Sequence, residues 1–203
     1  MKKISRIIAG TLLAAGISFA QQVQIGGHAA VNFSTLWGDG ASEMEVPWSL
    51  GILAGVAVKV PVNEKLCVVP EMNVDWRRQK DDEITWNTWA IEVPVLARYS
   101  VVPQVYLEAG PQLGFLLASE IERKFDTGPG AEKIKLGDKK VDALHIFEIG
   151  LDAGVGFAVA PNLDLDIRFA VGMNSIIDGK KFDNDDQAFK NMQIQVGGTY
   201  WFK

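Results

Sequence analysis

From Leu163 to Asn174 the chain alternates without a break: Leu163, Leu165, Ile167, Phe169, Val171 and Met173 are apolar, and Asp164, Asp166, Arg168, Ala170, Gly172 and Asn174 between them are polar or small. An amphipathic helix repeats its apolar residues three and four apart, whereas alternation places one set on each face of an extended strand. This segment is also about double the length of an ordinary globular strand. The pattern recurs. In 144–160 the apolar set is Phe147, Ile149, Leu151, Ala153, Val155, Phe157 and Val159; in 86–99 it is Trp89, Ile91, Val93, Val95, Ala97 and Tyr99; in 104–118 it is Val105, Leu107, Ala109, Leu113, Phe115 and Leu117. Weaker versions fill 23–37, 47–60, 65–78 and 190–202. All of these segments reach the roughly 9 to 11 residues that a tilted strand needs to cross a bilayer.

The connections alternate in length. Residues 38–46, 79–85, 119–143 and 178–189 are long and polar, whereas Pro61 to Glu64, Ser100 to Pro103 and Pro161-Asn162 are tight turns. Long loops on one side and short turns on the other are the mark of an up-and-down barrel, and termini on the short-turn side require an even strand number. The pattern predicts an all-β protein, an eight-stranded antiparallel transmembrane β-barrel.

The two ends agree with a membrane destination. Lys2, Lys3 and Arg6 precede an apolar run from Ile7 to Phe19, and Ser18-Phe19-Ala20 carries the small residues that a signal peptidase reads. The run is too short to span a bilayer as a helix. Residues 1–20 are therefore predicted to be a cleaved secretory signal peptide, followed by an outer-membrane barrel domain over 21–203. At the other end, Gln195, Gly197, Tyr200 and Phe202 form a polar-x-Gly-x-x-aromatic-x-aromatic sequence. It resembles the C-terminal signal by which the barrel assembly machinery of Gram-negative bacteria recognises its substrates. The expected location is the outer membrane of such a bacterium, with outer-membrane lipid as the first partner. A net charge of -5 argues against nucleic acid as a partner. The single Cys67 cannot close a disulfide within the chain.

Aromatic side chains are expected at both bilayer interfaces. Trp37, Trp48, Trp76, Trp86 and Trp89 fall near the long loops, and Tyr99, Tyr106, Tyr200 and Phe202 near the opposite rim.

If the apolar face meets lipid, the other face lines the interior. Inward then fall Lys59, Glu71, Asp75, Arg77, Glu92, Arg98, Glu108, Glu148, Asp152, Asp164, Asp166 and Arg168, with His28 on the first strand. Eight strands enclose a space only wide enough for side chains, so these charges are expected to pair or share protons. An ion-paired plug is the leading expectation, and a gated conduit or small-solute site is the alternative. The eight acids outnumber the four Lys and Arg residues. Protonated carboxylates, His28, water or a metal ion would balance them; Asp164 and Asp166, with Glu148 or Asp152, could hold a hard cation. No loop carries a calcium-binding pattern, so neither a metal nor any other cofactor is expected.

Catalysis finds little support. Only His28 and His145 are available as imidazole bases, and the one pairing worth naming is Ser119 with His145, beside Glu120, Glu122 and Asp142. No motif joins them. The glycines between Gly150 and Gly156 follow strand parity and do not open a helix, which excludes a phosphate loop. A soluble barrel binding an apolar ligand would carry its charges outside, against the faces assigned above.

The segment Trp89-Ala-Ile-Glu-Val-Pro-Val-Leu-Ala-Arg-Tyr99, followed by Tyr106-Leu-Glu-Ala-Gly-Pro111 running into Gly114-Phe-Leu, resembles the PorT-like outer-membrane β-barrel family. Glu148 to Gly156 is similar to that family's later "glu-x-gly-x-x-x-gly-x-gly" strand. The resemblance implies an eight-stranded outer-membrane barrel and little about activity, beyond a link to envelope or secretion-system proteins as partners. Rigid strands that display variable loops predict, independently, a non-enzymatic structural or loop-mediated binding scaffold.

Overall fold

The computed structural model describes residues 23–42, 48–80, 84–124, 133–136, 146–176 and 188–202. Its strands are β1 (Gln24–Trp37), β2 (Ser49–Pro61), β3 (Leu66–Lys80), β4 (Ile84–Val102), β5 (Val105–Lys124), β6 (Lys133–Leu136), β7 (Phe147–Ala160), β8 (Leu163–Gly172) and β9 (Lys190–Trp201), with a short helix α1 (Asp39–Ser42) after β1.

All pairings are antiparallel. Starting at β1 the ring runs β2, β3, β4, β5, β7, β8 and β9, and β9 returns to β1, so eight strands close the barrel. Closure follows from the alternation: an open sheet with one lipid-facing side would leave two edges of unpaired backbone in hydrocarbon, and a closed ring leaves none. The fold is the antiparallel eight-stranded barrel that the sequence predicts.

The outer end differs from expectation in two places. Within 119–143, β5 continues to Lys124 and β6 pairs with it from Ile121↔Leu136 to Lys124↔Lys133, so part of that stretch is a hairpin. Likewise β3 runs to Lys80 and β4 starts at Ile84, leaving three residues between them. Turn-like composition hid both extensions, because charged residues are acceptable in a strand that has left the bilayer. The inner turns are as short as the prolines suggest. In one of them Asn63 Oδ1 accepts from the backbone N–H groups of Lys65 and Leu66, both at 2.9 Å.

Large apolar side chains stand exposed all round the outer surface, among them Phe33, Ile52, Met72, Leu107, Ile149, Leu165, Ile167 and Val196. A continuous apolar band on this scale is a lipid surface. Trp37, Trp48 and Trp89 are exposed toward the long-loop end, where Trp76 packs on Trp89 with ring centroids 6.3 Å apart. The side chain of Trp86 lies outside the described residues. Tyr99, Tyr200 and Phe202 are exposed at the opposite rim. Tyr106 is not part of that belt: it points into the barrel and is buried. Its parity on β5 is that of Glu108, and it fills the space left by Gly156 on the paired strand.

Candidate functional site

The interior of the barrel holds the chemistry-bearing residues. His28 comes from β1, Lys59 from β2, Glu71, Asp75 and Arg77 from β3, Glu92 and Arg98 from β4, Glu108 from β5, Glu148 and Asp152 from β7, and Asp164, Asp166 and Arg168 from β8. All of them are buried on the inner face except Lys59 and Glu148, whose side chains are 25% and 20% exposed at the two ends.

Toward the inner end the charges form one connected network. Arg168 Nη1 and Nη2 donate to the two carboxylate oxygens of Glu71 at 2.8 and 2.9 Å, and its Nε donates to Glu108 at 2.6 Å and lies 3.0 Å from Asp166. Arg98 donates from Nε to Glu108 and from Nη1 to Asp164, each at 3.0 Å. Lys59 Nζ approaches Asp164 at 3.4 Å. The His28 ring lies between two carboxylates, Nδ1 3.5 Å from Glu71 and Nε2 3.6 Å from Asp166. Fork-shaped guanidinium groups meet several carboxylates at once, which is what a crowded lumen requires.

The distances have a topological meaning. Glu71 on β3 and Arg168 on β8 are four strands apart in a ring of eight, so their paired contact crosses the full diameter. Below this brace lies an apolar floor, where Trp201 packs with Ala57, Val69, Leu96 and Cys67. Trp201 Nε1 donates to Asp164 at 2.8 Å, with Lys59 Nζ 4.3 Å from its ring centroid. Arg98 sits 4.1 Å over the Tyr106 ring. Both cations thus gain a π face as well as a carboxylate.

Toward the outer end a second, smaller network forms. Arg77 binds Asp75 and Glu92 and stands 3.7 Å from Glu148. Asn32 donates to Asp75. Gln193 Nε2, facing β4 from across the barrel, donates to Glu92 at 3.2 Å, and Asn191 Nδ2 donates to Glu148 at 2.6 Å. A polar hollow near this end is lined by Gln112, Gly114, Glu148, Gly172, Asn191 and Gln193.

Several interior residues escaped the sequence reading. Asn32, Asn73, Gln193, Tyr106 and Trp201 all belong to the inward set, and strand parity was the signal that would have found them. Attention to charge passed over the amides, and attention to rims passed over the aromatics. The alternative of a hard cation held by Asp164 and Asp166 with Glu148 or Asp152 does not fit this geometry. Asp164 and Asp166 are taken by Arg98, Lys59 and Arg168, and Glu148 stands at the far end of the lumen. Among the described residues no three acidic, His or Cys side chains gather around one metal-sized point. His145, the partner considered for Ser119, lies outside the described residues. Of the C-terminal signal residues, Gln195 is buried and donates to Gln193 at 3.1 Å, while Tyr200 and Phe202 face outward with rings 5.9 Å apart.

Residues 19–178 match the family described as "Outer membrane protein beta-barrel domain". No curated protein matches the sequence. Among solved structures, Neisserial surface protein A aligns with a TM-score of 0.57 at 13% identity, covering 88% of this chain and 97% of its own. The attachment invasion locus protein of Yersinia pestis aligns with a TM-score of 0.51 at 14% identity, covering 88% of this chain and 98% of its own. At such identities the likeness is one of fold.

Proposed function

The chain belongs to the outer membrane protein beta-barrel domain family, and from that premise we propose that it is a closed, non-catalytic scaffold of the cell envelope. Its barrel anchors the outer loops, and those loops bind partner proteins. The PorT-like sequence features around Trp89 to Pro111 favour secretion-system or other envelope proteins as the partners. The signal-peptide reading of residues 1–20 and the assembly-signal reading of Gln195, Gly197, Tyr200 and Phe202 belong to the same proposal, since both describe delivery to that membrane.

One observation carries this reading: the Glu71–Arg168 brace spans the barrel's diameter above a floor built on Trp201. A solute crossing the lumen would have to break charge-assisted bonds in a space where few waters can replace them. Rigid strands that display loops are also the usual division of labour between scaffold and function. The rival reading, a narrow gated pore, draws its support from the acid excess in the lumen.

Planar-bilayer recording separates the two. The reconstituted wild type is expected to be electrically silent. Stable, reproducible single-channel current would overturn the closed scaffold and establish the pore in its place.

A further inference from the structure

Proline has no backbone N–H, so a strand that carries one cannot donate to its neighbour at that position. Sheets confine such residues to edges, strand starts and bulges, but a closed barrel has no edge, and hydrocarbon offers no substitute donor. This barrel nevertheless carries a proline inside each of three consecutive strands: Pro70 on β3, Pro94 on β4 and Pro111 on β5.

The ladders fail where these prolines stand. Pairing of β2 with β3 stops at Ala57↔Glu71 and resumes at Val60↔Val68, and the gap holds Pro70 opposite Val58. Pairing of β3 with β4 stops at Pro70↔Val95 and resumes at Asn73↔Glu92, with Pro94 opposite Glu71. Between β4 and β5 it stops at Pro94↔Gln112 and resumes at Ala97↔Ala109, around Pro111 opposite Val95. One absent N–H accounts for each gap, and it leaves the carbonyls of Val58, Glu71 and Val95 without the donor a ladder would supply. The Val95 oxygen lies against Gly110, where a Cβ would collide with it. By contrast, β1–β2, β1–β9, β5–β7 and β8–β9 pair without interruption.

The gaps are aligned. Val95 is the cross-strand neighbour of both Pro70 and Pro111, and Pro94 precedes it in the chain, so the missing bonds fall on one line running across the strands. The same line divides the charges of β3–β5. On its outer side lie Glu71, Asp75, Arg77 and Glu92, and on its inner side Arg98 and Glu108. Among the described ion pairs, none joins a charge of these strands on one side directly to one on the other. Arg168 connects the two from β8, through Glu71 on the outer side and Glu108 on the inner side. The outer parts of β3, β4 and β5 are also those that continue to Lys80, Ile84 and Lys124, where β5 pairs with β6.

We propose that this line is a crease built into the wall and latched by Arg168, along which the loop-bearing outer part of β3–β5 yields while the braced inner end stays in place. A strand wall resists opening through its ladder bonds, and regions with fewer of them open at lower free energy. The crease rests on the scaffold reading, in which the outer loops meet a partner protein, and it gives the strands beneath those loops room to adjust to that contact. The latch limits the adjustment, because Arg168 holds both sides of the line at once.

Amide hydrogen exchange of the full chain in detergent, resolved by residue with NMR, reads the crease directly. Val58, Glu71 and Val95, beside the gaps, are expected to exchange about tenfold faster than Val31 and Val196 in the unbroken β1–β9 ladder, the effect of one hydrogen bond of ordinary net strength. Pro70→Ala returns a donor to Val58 and Pro111→Ala returns one to Val95. Each is expected to slow exchange at that residue to the rate of the unbroken ladder. The unfolding temperature is not the readout, because removing a proline also loosens the unfolded chain. Arg168→Lys keeps the charge but loses the fork, and it is expected to speed exchange at the three crease residues more than at Val31 and Val196. Equal exchange in wild type at crease and control residues, or proline variants that exchange as fast as wild type, would overturn the crease. An equal acceleration at all five residues in Arg168→Lys would overturn the latch. None of these results bears on conductance, so the closed-scaffold reading stands or falls separately by its bilayer recording.

Discussion

Single residues decide which side of the wall each chemistry occupies, and Tyr106 shows how narrowly. Its sequence neighbourhood is that of a rim aromatic, yet it lies inside under Arg98, in space that only a glycine at 156 leaves open. Parity alone identifies it as inward. What parity does not reveal is the partner, because pairing Tyr106 with Gly156 depends on the register of β5 against β7. Alternation sorts faces without regard to chemistry, so it places the charged residues and Tyr106 alike on the inner face; nearness to the rim is what masks Tyr106. Gly156→Ala is expected to drive a methyl group into the Tyr106 ring and to destabilise the barrel by roughly 1 to 3 kcal/mol, the usual range for overpacking. The double variant Gly156→Ala/Tyr106→Leu is expected to recover part of that loss. Equilibrium unfolding in urea with the protein in detergent or lipid measures both; an unaffected Gly156→Ala would show that the ring does not occupy the site.

At the scale of elements, the barrel strands were legible because lipid and lumen impose opposite requirements on alternate residues over a long span. That demand ends where the strand leaves the bilayer. The outer part of β5 and the whole of β6 therefore carry mixed, charged sequences that read as loop. Register was likewise invisible, since any even shift keeps the same faces. β9 has a double duty. Its inward side supplies Gln193, Gln195 and Trp201 to the lumen, while Tyr200 and Phe202 face lipid at the rim and, on our reading, are recognised during assembly. The two roles sit on opposite faces, so they are separable by substitution. Tyr200→Ala with Phe202→Ala is expected to lower the amount assembled in the outer membrane and to leave degraded periplasmic material, with the lumen contacts untouched. Heat-modifiable migration on gels and surface labelling of cells report assembly. Normal values for both in the double variant would remove the signal role and leave these rings as interface anchors alone.

The whole molecule is a cylinder braced from within. In a soluble domain, burial of apolar residues at the centre drives folding; here the apolar residues face outward into lipid, and the centre is held by ion pairs over a small apolar floor. Such an arrangement is stable only while the network is complete, because its guanidinium groups and carboxylates share partners along one strand, between neighbours and across the lumen. Arg168 meets three carboxylates, reaching β3 and β5 from β8. Arg168→Ala leaves Glu71, among the described residues, with only His28 near it as a potential cation and releases one of the two guanidinium contacts of Glu108. Breaking a buried pair from one side typically costs about 3 to 5 kcal/mol. Removing both ends with residues that fill the space, as in Arg168→Met with Glu71→Leu, is expected to be milder than Arg168→Ala, since the buried carboxylate that would lose its guanidinium is gone as well. Lys59→Ala, at the partly open inner end, is expected to cost far less than either, because Lys59 is itself partly solvated and Asp164 keeps Arg98 and Trp201 as partners. Thermal unfolding of the three variants in one detergent tests this order. A result in which Arg168→Ala is no worse than Lys59→Ala would mean that the diameter-spanning contacts do not hold the cylinder, and that strand pairing and lipid contact suffice.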